Sequence, residues 1–196
     1  MIGVAVALLF SGIRPHTDRL TWFLETLPVM IGLPLLWFTR RRLPLTPLLY
    51  WLLALHALIL IVGGYYSYAE MPLFDWLRDR LHLARNHYDR LGHLAQGFVP
   101  ALLLRELLLR RTPLTAGRLV QVLVVGLCLG LSAFYELLEW WVALLAEDEA
   151  VAFLATQGDP WDTQWDMFLA LVGAVTALAG LSRLHDRELR TLDRVA

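Results

Sequence analysis

The chain has 196 residues, 58% of them hydrophobic, a net charge of −1 and a mean hydropathy of +0.54. An apolar share well above the roughly 45–50% of a soluble domain, with charges gathered into clusters between runs of Leu, Ala, Val and Trp, excludes an ordinary soluble enzyme. The near-neutral charge gives no nucleic-acid partner, and what remains is an all-α, polytopic membrane helical bundle, residues 1–196 forming a single integral membrane domain.

Apolar runs predict about six transmembrane helices, near 1–13, 20–39, 43–62, 89–110, 118–146 and 163–183, most of them close to the ~20 residues that a bilayer core requires. The first, in "MIGVAVALLFSGIRP", is short, yet it lacks the basic flank and small-residue cleavage site of a signal peptide and is read as a membrane helix. Pro44 and Pro47 suit the start of the third span. His56, in the middle of that span, reads as a structural hydrogen-bonding residue, and "GGYYSY" at 63–68 as a helix end and turn. Next, "MPLFDWLRDRLHLARNHY" places Phe74, Leu77, Leu81, Ala84 and Tyr88 on one helical face, which predicts an amphipathic interfacial helix on the outer side. Gly92, Gly97 and Gly173 are expected to let helices approach closely, and Cys128, in an apolar run, to serve packing.

Alternate ends of these spans differ sharply in charge. One set of ends, with the run at 40–42, Arg105, Arg110, Arg111, Arg118 and the tail from Arg183 to Arg194, sums to +7; the other sums to −8. Because basic flanks stay in the cytoplasm, both termini are expected there, in a bacterial inner (plasma) membrane. The loops at 14–19, 63–88 and 147–162 then lie outside.

Acids enter the predicted spans at three places, "YDRLGHLAQGF", "YELLEWW" and "GDPWDTQWDM". At 100° per residue Asp89, His93 and Gln96 share one stripe, Glu136 and Glu139 a second, and Asp162 and Asp166 a third. With alternating helix direction all fall in the outer half. A charge facing lipid costs ~2.5–3.5 kcal/mol on the mildest scale, so these groups must face one another or water. So many carboxylates beside one histidine and Arg90 repel unless protons or a cation neutralise them. Carboxylates at i, i+3 and i, i+4 on facing helices with a histidine suit a divalent metal ion, Zn, Mn, Fe or Mg. The expected ligands are Asp89, His93, Glu139, Asp162 and Asp166, with Glu136 as the catalytic base; a metal-free, proton-sharing network is the alternative. Glu25 is a further candidate member, and Trp140, Trp141, Trp161 and Trp165 are expected at the outer boundary.

The runs "YDRLGHLAQGFVPALLLRE", "YELLEWW", "GDPWDTQWDMFLALVGA" and "RPHTDRLTWFLETLP" resemble the YjdF family of bacterial inner-membrane proteins along almost the whole chain. This resemblance implies the membrane class and the motif positions, and names no reaction. The chain is more distantly similar to VanZ-like membrane proteins, whose Asp-x-x-x-His, Glu and Asp-then-Gly elements would fall on Asp89 with His93, Glu136 or Glu139, and Asp166 with Gly173. A second Glu, and Trp140 where Gln usually stands, depart from that pattern.

The function expected from these features is a metal-dependent hydrolase or transferase acting on a lipid or lipid-linked substrate, with membrane lipids as its partners. A cation- or proton-coupled transporter and a non-catalytic membrane factor are the alternatives.

Overall fold

The computed structural model describes residues 1–146 and 156–193. Among them are seven helices and no strand: α1 (Ile2–Ile13), α2 (Arg19–Thr39), α3 (Pro47–Tyr66), α4 (Pro72–Leu81), α5 (Tyr88–Arg111), α6 (Arg118–Ala146) and α7 (Asp162–Asp193). The expected outer loop at 147–162 lies, over 147–155, outside the described residues.

Four helices, α2, α3, α6 and α7, are long and apolar enough to cross a membrane. The other two expected spans differ for separate reasons. Helix α1 has 12 residues, about 18 Å at 1.5 Å per residue, short of a ~30 Å hydrocarbon core. Helix α5 has the length, with 24 residues, but carries Asp89, Arg90, His93, Arg105, Glu106, Arg110 and Arg111. Its charges are admissible because α3, α6 and α7 pack around it, so that Asp89, His93, Arg105 and Glu106 are buried against protein. Side chains on the surrounding helices, Phe38, Trp51 and Leu145 among them, are left almost fully exposed, as suits surfaces covered by lipid rather than water.

The α5–α7 pair is the most extensive in the bundle, and two glycines make it possible. A Cβ at Gly97 would fall 1.8 Å from the Ala170 carbonyl oxygen, and one at Gly173 would fall 2.1 Å from that of Leu94. The backbones touch. Ala101, Ala170, Ala174 and Ala177, all fully buried, continue this small-residue seam, and such close approach is how helices gain packing energy where lipid removes the hydrophobic drive. Gly92, expected to serve the same purpose, instead makes room for the Tyr68 ring, 2.6 Å from its would-be Cβ.

Cys128 packs with Leu49, Leu102, Val120 and Val124 in the main apolar core, as expected. Pro47 opens α3 at its first turn, whereas Pro44 lies ahead of the helix, which begins four residues later than the hydropathy suggests. Ser67 ends α3 with a positive φ, confirming the turn in "GGYYSY". The amphipathic segment is helical only to Leu81, where His82 takes a left-handed conformation. Ala84 and Tyr88 therefore do not extend the α4 face. Phe74 and Tyr88 still meet, edge to face at 5.3 Å.

Hydrogen bonds sort the helix ends into two groups. At one end the backbone N–H groups of His16 and Thr17 donate to the Tyr65 carbonyl, and Asn86 is joined to Gln157. At the other, Arg110 donates to the Pro44 carbonyl, Arg111 to that of Arg42, and the Leu48 N–H to Glu188. These are the acidic and arginine-rich ends grouped by charge in the sequence.

Candidate functional site

At the acidic end the start of α5 is fixed by Asn86, a fully buried residue. Its amide nitrogen donates to the Met71 carbonyl and to Asp75, and its side-chain oxygen accepts from the Tyr88 N–H. Its backbone N–H and C=O pair with the two ends of the Gln157 amide. One residue thus joins α4 and α5 through its side chain and the approach to α7 through its backbone.

Two arginines next to this hub hold the aspartates. Arg85 donates to Asp162 and to Asp89, the latter at 3.3 Å, and lies 3.6 Å from Asp159. Arg90 donates to Asp159 at 2.8 Å and to Asp162 at 3.4 Å, while its Nε lies 3.9 Å from Asp166 Oδ1. Its guanidinium also sits 5.1 Å from the Trp165 ring centroid, in cation–π range. The Trp161 backbone N–H and then the Arg90 guanidinium hold the Asp159 carboxyl below its ordinary pKa.

Deeper in the bundle, His93 stands between two sets of carboxylates. Its Nε2 is 3.4 Å from Asp89 Oδ1 and 4.0 Å from Asp166 Oδ1; its Nδ1 is 3.9 Å from Glu136 Oε1. Potential donor atoms of Asp89, His93 and Asp166 all lie within 4.8 Å of one another, as do those of His93, Glu136 and Glu139. His93, Glu136 and Asp166 are 5%, 7% and 3% exposed, yet His93 Nδ1, Glu136 Oε1 and Asp166 Oδ1 have no hydrogen-bond partner. Orphaned polar atoms this deep ordinarily cost ~1–3 kcal/mol each. Glu25, buried on α2, is close enough to Asp89 and His93 to feel their charge. The buried Tyr68 hydroxyl also lacks a partner.

The expected residues are thus divided into groups. Asp89 and Asp166 stand on the Nε2 side of the imidazole and Glu136 on the Nδ1 side, Glu139 is grouped with His93 and Glu136, and Asp162 is taken up by the two arginines. Gln96 is half-buried one turn below His93. Trp140, Trp141, Trp161 and Trp165 are exposed at this end. Arg85, Asn86 and Gln157 were not foreseen, because they lie in connecting segments where no helical period marks them.

A second polar cluster, also unforeseen, occupies the arginine-rich end of the same helix pair. Glu106 and His185, both fully buried, are 2.9 Å apart. Glu106 also accepts from the Thr46 N–H and hydroxyl and from Arg110. Arg105 bonds His185 Nδ1 at 3.0 Å and donates to Asp186. The signal available in the sequence was the Glu106/Arg110 spacing at i, i+4. His56, by contrast, has a buried Nε2 without a partner and lines an apolar cavity of about 400 Å³ between α1, α2 and α3.

Residues 1–187 match the family described as "Predicted membrane protein (DUF2238)". The chain is 51% identical over 187 residues to "Inner membrane protein YjdF" of Escherichia coli (strain K12), covering 95% of this chain and 89% of that protein. No solved structure matches. The VanZ-like similarity is not shown by these comparisons. The chain is an integral membrane protein and belongs to the family described as "Predicted membrane protein (DUF2238)".

Proposed function

We propose that the acidic end binds a divalent cation around His93 and uses it on a lipid or lipid-linked substrate, as a hydrolase or transferase. The observation that carries this reading is a pair of unpaired atoms: His93 Nδ1 and Glu136 Oε1 are buried, 3.9 Å apart and without hydrogen-bond partners. Packed structure rarely keeps such groups unless a ligand satisfies them. The donors are carboxylates and an imidazole, a set suited to Zn, Mn, Fe or Mg. Such an ion would polarise an ester or phosphoryl oxygen and lower the pKa of a bound water.

The surroundings favour a membrane-borne substrate. Trp140, Trp161 and Trp165 stand exposed around this end, and α4 carries exposed Leu73 and Trp76 beside it. An acyl or prenyl chain suits such walls, and an anionic headgroup suits the ion. Transport is the weaker reading: between His93 and Arg105, ~18 Å along α5, the buried side chains are Ala95, Val99, Ala101 and Leu102, and the touching backbones at Gly97 and Gly173 leave no room for a path along that seam.

In the proposed topology six helices cross the membrane, α1 and α5 with the four apolar ones, with the acidic end outside and both termini cytoplasmic. In a Cys128→Ser background, a reagent that cannot cross the membrane should label His82→Cys in intact cells and Thr112→Cys only after permeabilisation; labelling of position 112 in intact cells would reverse the orientation. The function itself is tested by incubating reconstituted protein with a panel of lipid phosphates and lipid esters, with and without chelator. A chelator-sensitive product in the mass spectrum is expected. No product across the panel, together with cation or proton flux that requires Asp89 and Glu139, would replace this reading with transport.

A further inference from the structure

The two faces of the His93 imidazole are not equivalent. On the Nε2 face the carboxylates already have cations: Asp89 bonds Arg85, Asp162 bonds Arg85 and Arg90, and Asp166 lies 3.9 Å from Arg90 Nε. On the Nδ1 face, among the described residues, the only ionic neighbour within 4.0 Å of Glu136 is His93 itself, and Glu139 has none. A further cation on the Nε2 face would meet guanidinium groups, whereas on the Nδ1 face it would meet uncompensated carboxylates. The unpartnered atoms differ in the same way: on the Nδ1 face, Nδ1 and Glu136 Oε1 lie 3.9 Å apart, whereas Asp166 Oδ1, also without a hydrogen-bond partner, has the Arg90 guanidinium 3.9 Å away.

We propose that a divalent cation sits on the Nδ1 face of His93, ligated by that nitrogen, Glu136 and Glu139, with Asp89 on Nε2 as the carboxylate that positions the ring. This rests on the metal reading above and deepens it. The donors of the three residues lie within 4.8 Å of one another; metal bonds of about 2.0–2.2 Å place tetrahedral donors roughly 3.4 Å apart, so a modest contraction completes the site. Three protein ligands leave a position open for water or substrate, as catalytic sites require. Glu139 is the half-buried member of the three, so the site is reached from its side. Asp89, at 3.4 Å from Nε2, takes the Nε2–H and leaves the Nδ1 lone pair for the metal, the arrangement by which a carboxylate fixes a ligating imidazole. Glu136 thereby becomes a ligand.

The test is Mn²⁺ binding by the full-length protein in detergent, measured by electron paramagnetic resonance titration, with the unfolding midpoint of each chelated variant as a control for folding. Glu136→Gln and Glu139→Gln should each weaken binding by more than about 100-fold, beyond the ~10–100-fold typical of losing an outer partner, which is the range expected for Asp89→Asn. Asp166→Asn should change it by less than about 3-fold, since on this assignment Asp166 touches neither the ion nor the ring proton. Should Glu136→Gln fail to fold, Glu139→Gln, which alters a half-buried side chain, carries the same contrast with Asp166→Asn. Loss of binding in Asp166→Asn with retention in both glutamate variants would move the ion to the Nε2 face and overturn this assignment while leaving the metal reading in place. Absence of saturable Mn²⁺ or Zn²⁺ binding in the unmodified protein would overturn both.

Discussion

The helix pair α5–α7 carries a polar cluster at each end, built from the same residue types, and the two differ in whether the atoms are satisfied. At the arginine-rich end Glu106 accepts from Thr46 and Arg110 and meets His185, which in turn meets Arg105, which holds Asp186. Acids and bases balance, and none of these side chains has an unpartnered buried atom. At the acidic end two arginines face Asp89, Asp159, Asp162 and Asp166, with Glu25, Glu136 and Glu139 beyond them, and His93, Glu136 and Asp166 each retain an orphaned atom. A closed network joins the ends of α3, α5 and α7. An open one asks for a ligand.

If the arginine-rich cluster is a clamp, breaking it should have the largest effect. Glu106→Ala leaves His185 Nε2 and the Thr46 donors without their carboxylate in a fully buried position, takes from Arg110 its acidic partner, and should destabilise the protein by about 3–5 kcal/mol. In detergent this appears as a sharp fall in the unfolding midpoint or in recoverable folded protein, while a near-unchanged midpoint would show that the network contributes little.

Between the clusters, Gly97→Ala sharpens the comparison by separating the two helices. Its Cβ would lie 1.8 Å from a backbone carbonyl, which cannot rotate away, so a cost of about 1–3 kcal/mol is expected from overpacking. Gly92→Ala, which meets only the Tyr68 ring, should cost less. Equal unfolding midpoints for the two variants would remove the close α5–α7 seam from the account.

The smallest change should have the opposite sign. With metal chelated, Glu136→Gln removes one like charge from a self-repelling group and should leave stability unchanged or raise it by up to about 1 kcal/mol. A loss of several kcal/mol in chelated protein would instead make the acidic end a second structural network.

Much of the acidic end was legible in the sequence, because Asp89/His93, Glu136/Glu139 and Asp162/Asp166 repeat at helical spacing on three spans and at one depth, where a charge facing lipid is costly. The residues that hold this stripe in place were not. Arg85, Asn86 and Gln157 act from connecting segments, and their contacts join positions about 70 residues apart in the chain. The clamp was hidden differently: Arg105, Glu106 and Asp186 sit where arginine-rich flanks are expected, so their charges served to sort the helix ends and their pairing went unseen. Hydropathy also placed the end of the last span near 183, but α7 continues to Asp193. There Glu188 accepts from the Leu48 N–H at the start of α3, a tertiary contact that a hydropathy profile does not register.

The central claim, that the acidic end is completed by a cation, is tested most directly by the unfolding midpoint of the chelated protein as Mn²⁺ or Zn²⁺ is added back. Binding to the folded state alone stabilises by about 2.7 kcal/mol at 100 times the dissociation constant, so the midpoint should rise saturably in the unmodified protein and stay flat in His93→Ala. A flat response in the unmodified protein, or an equal rise in His93→Ala, would contradict the claim.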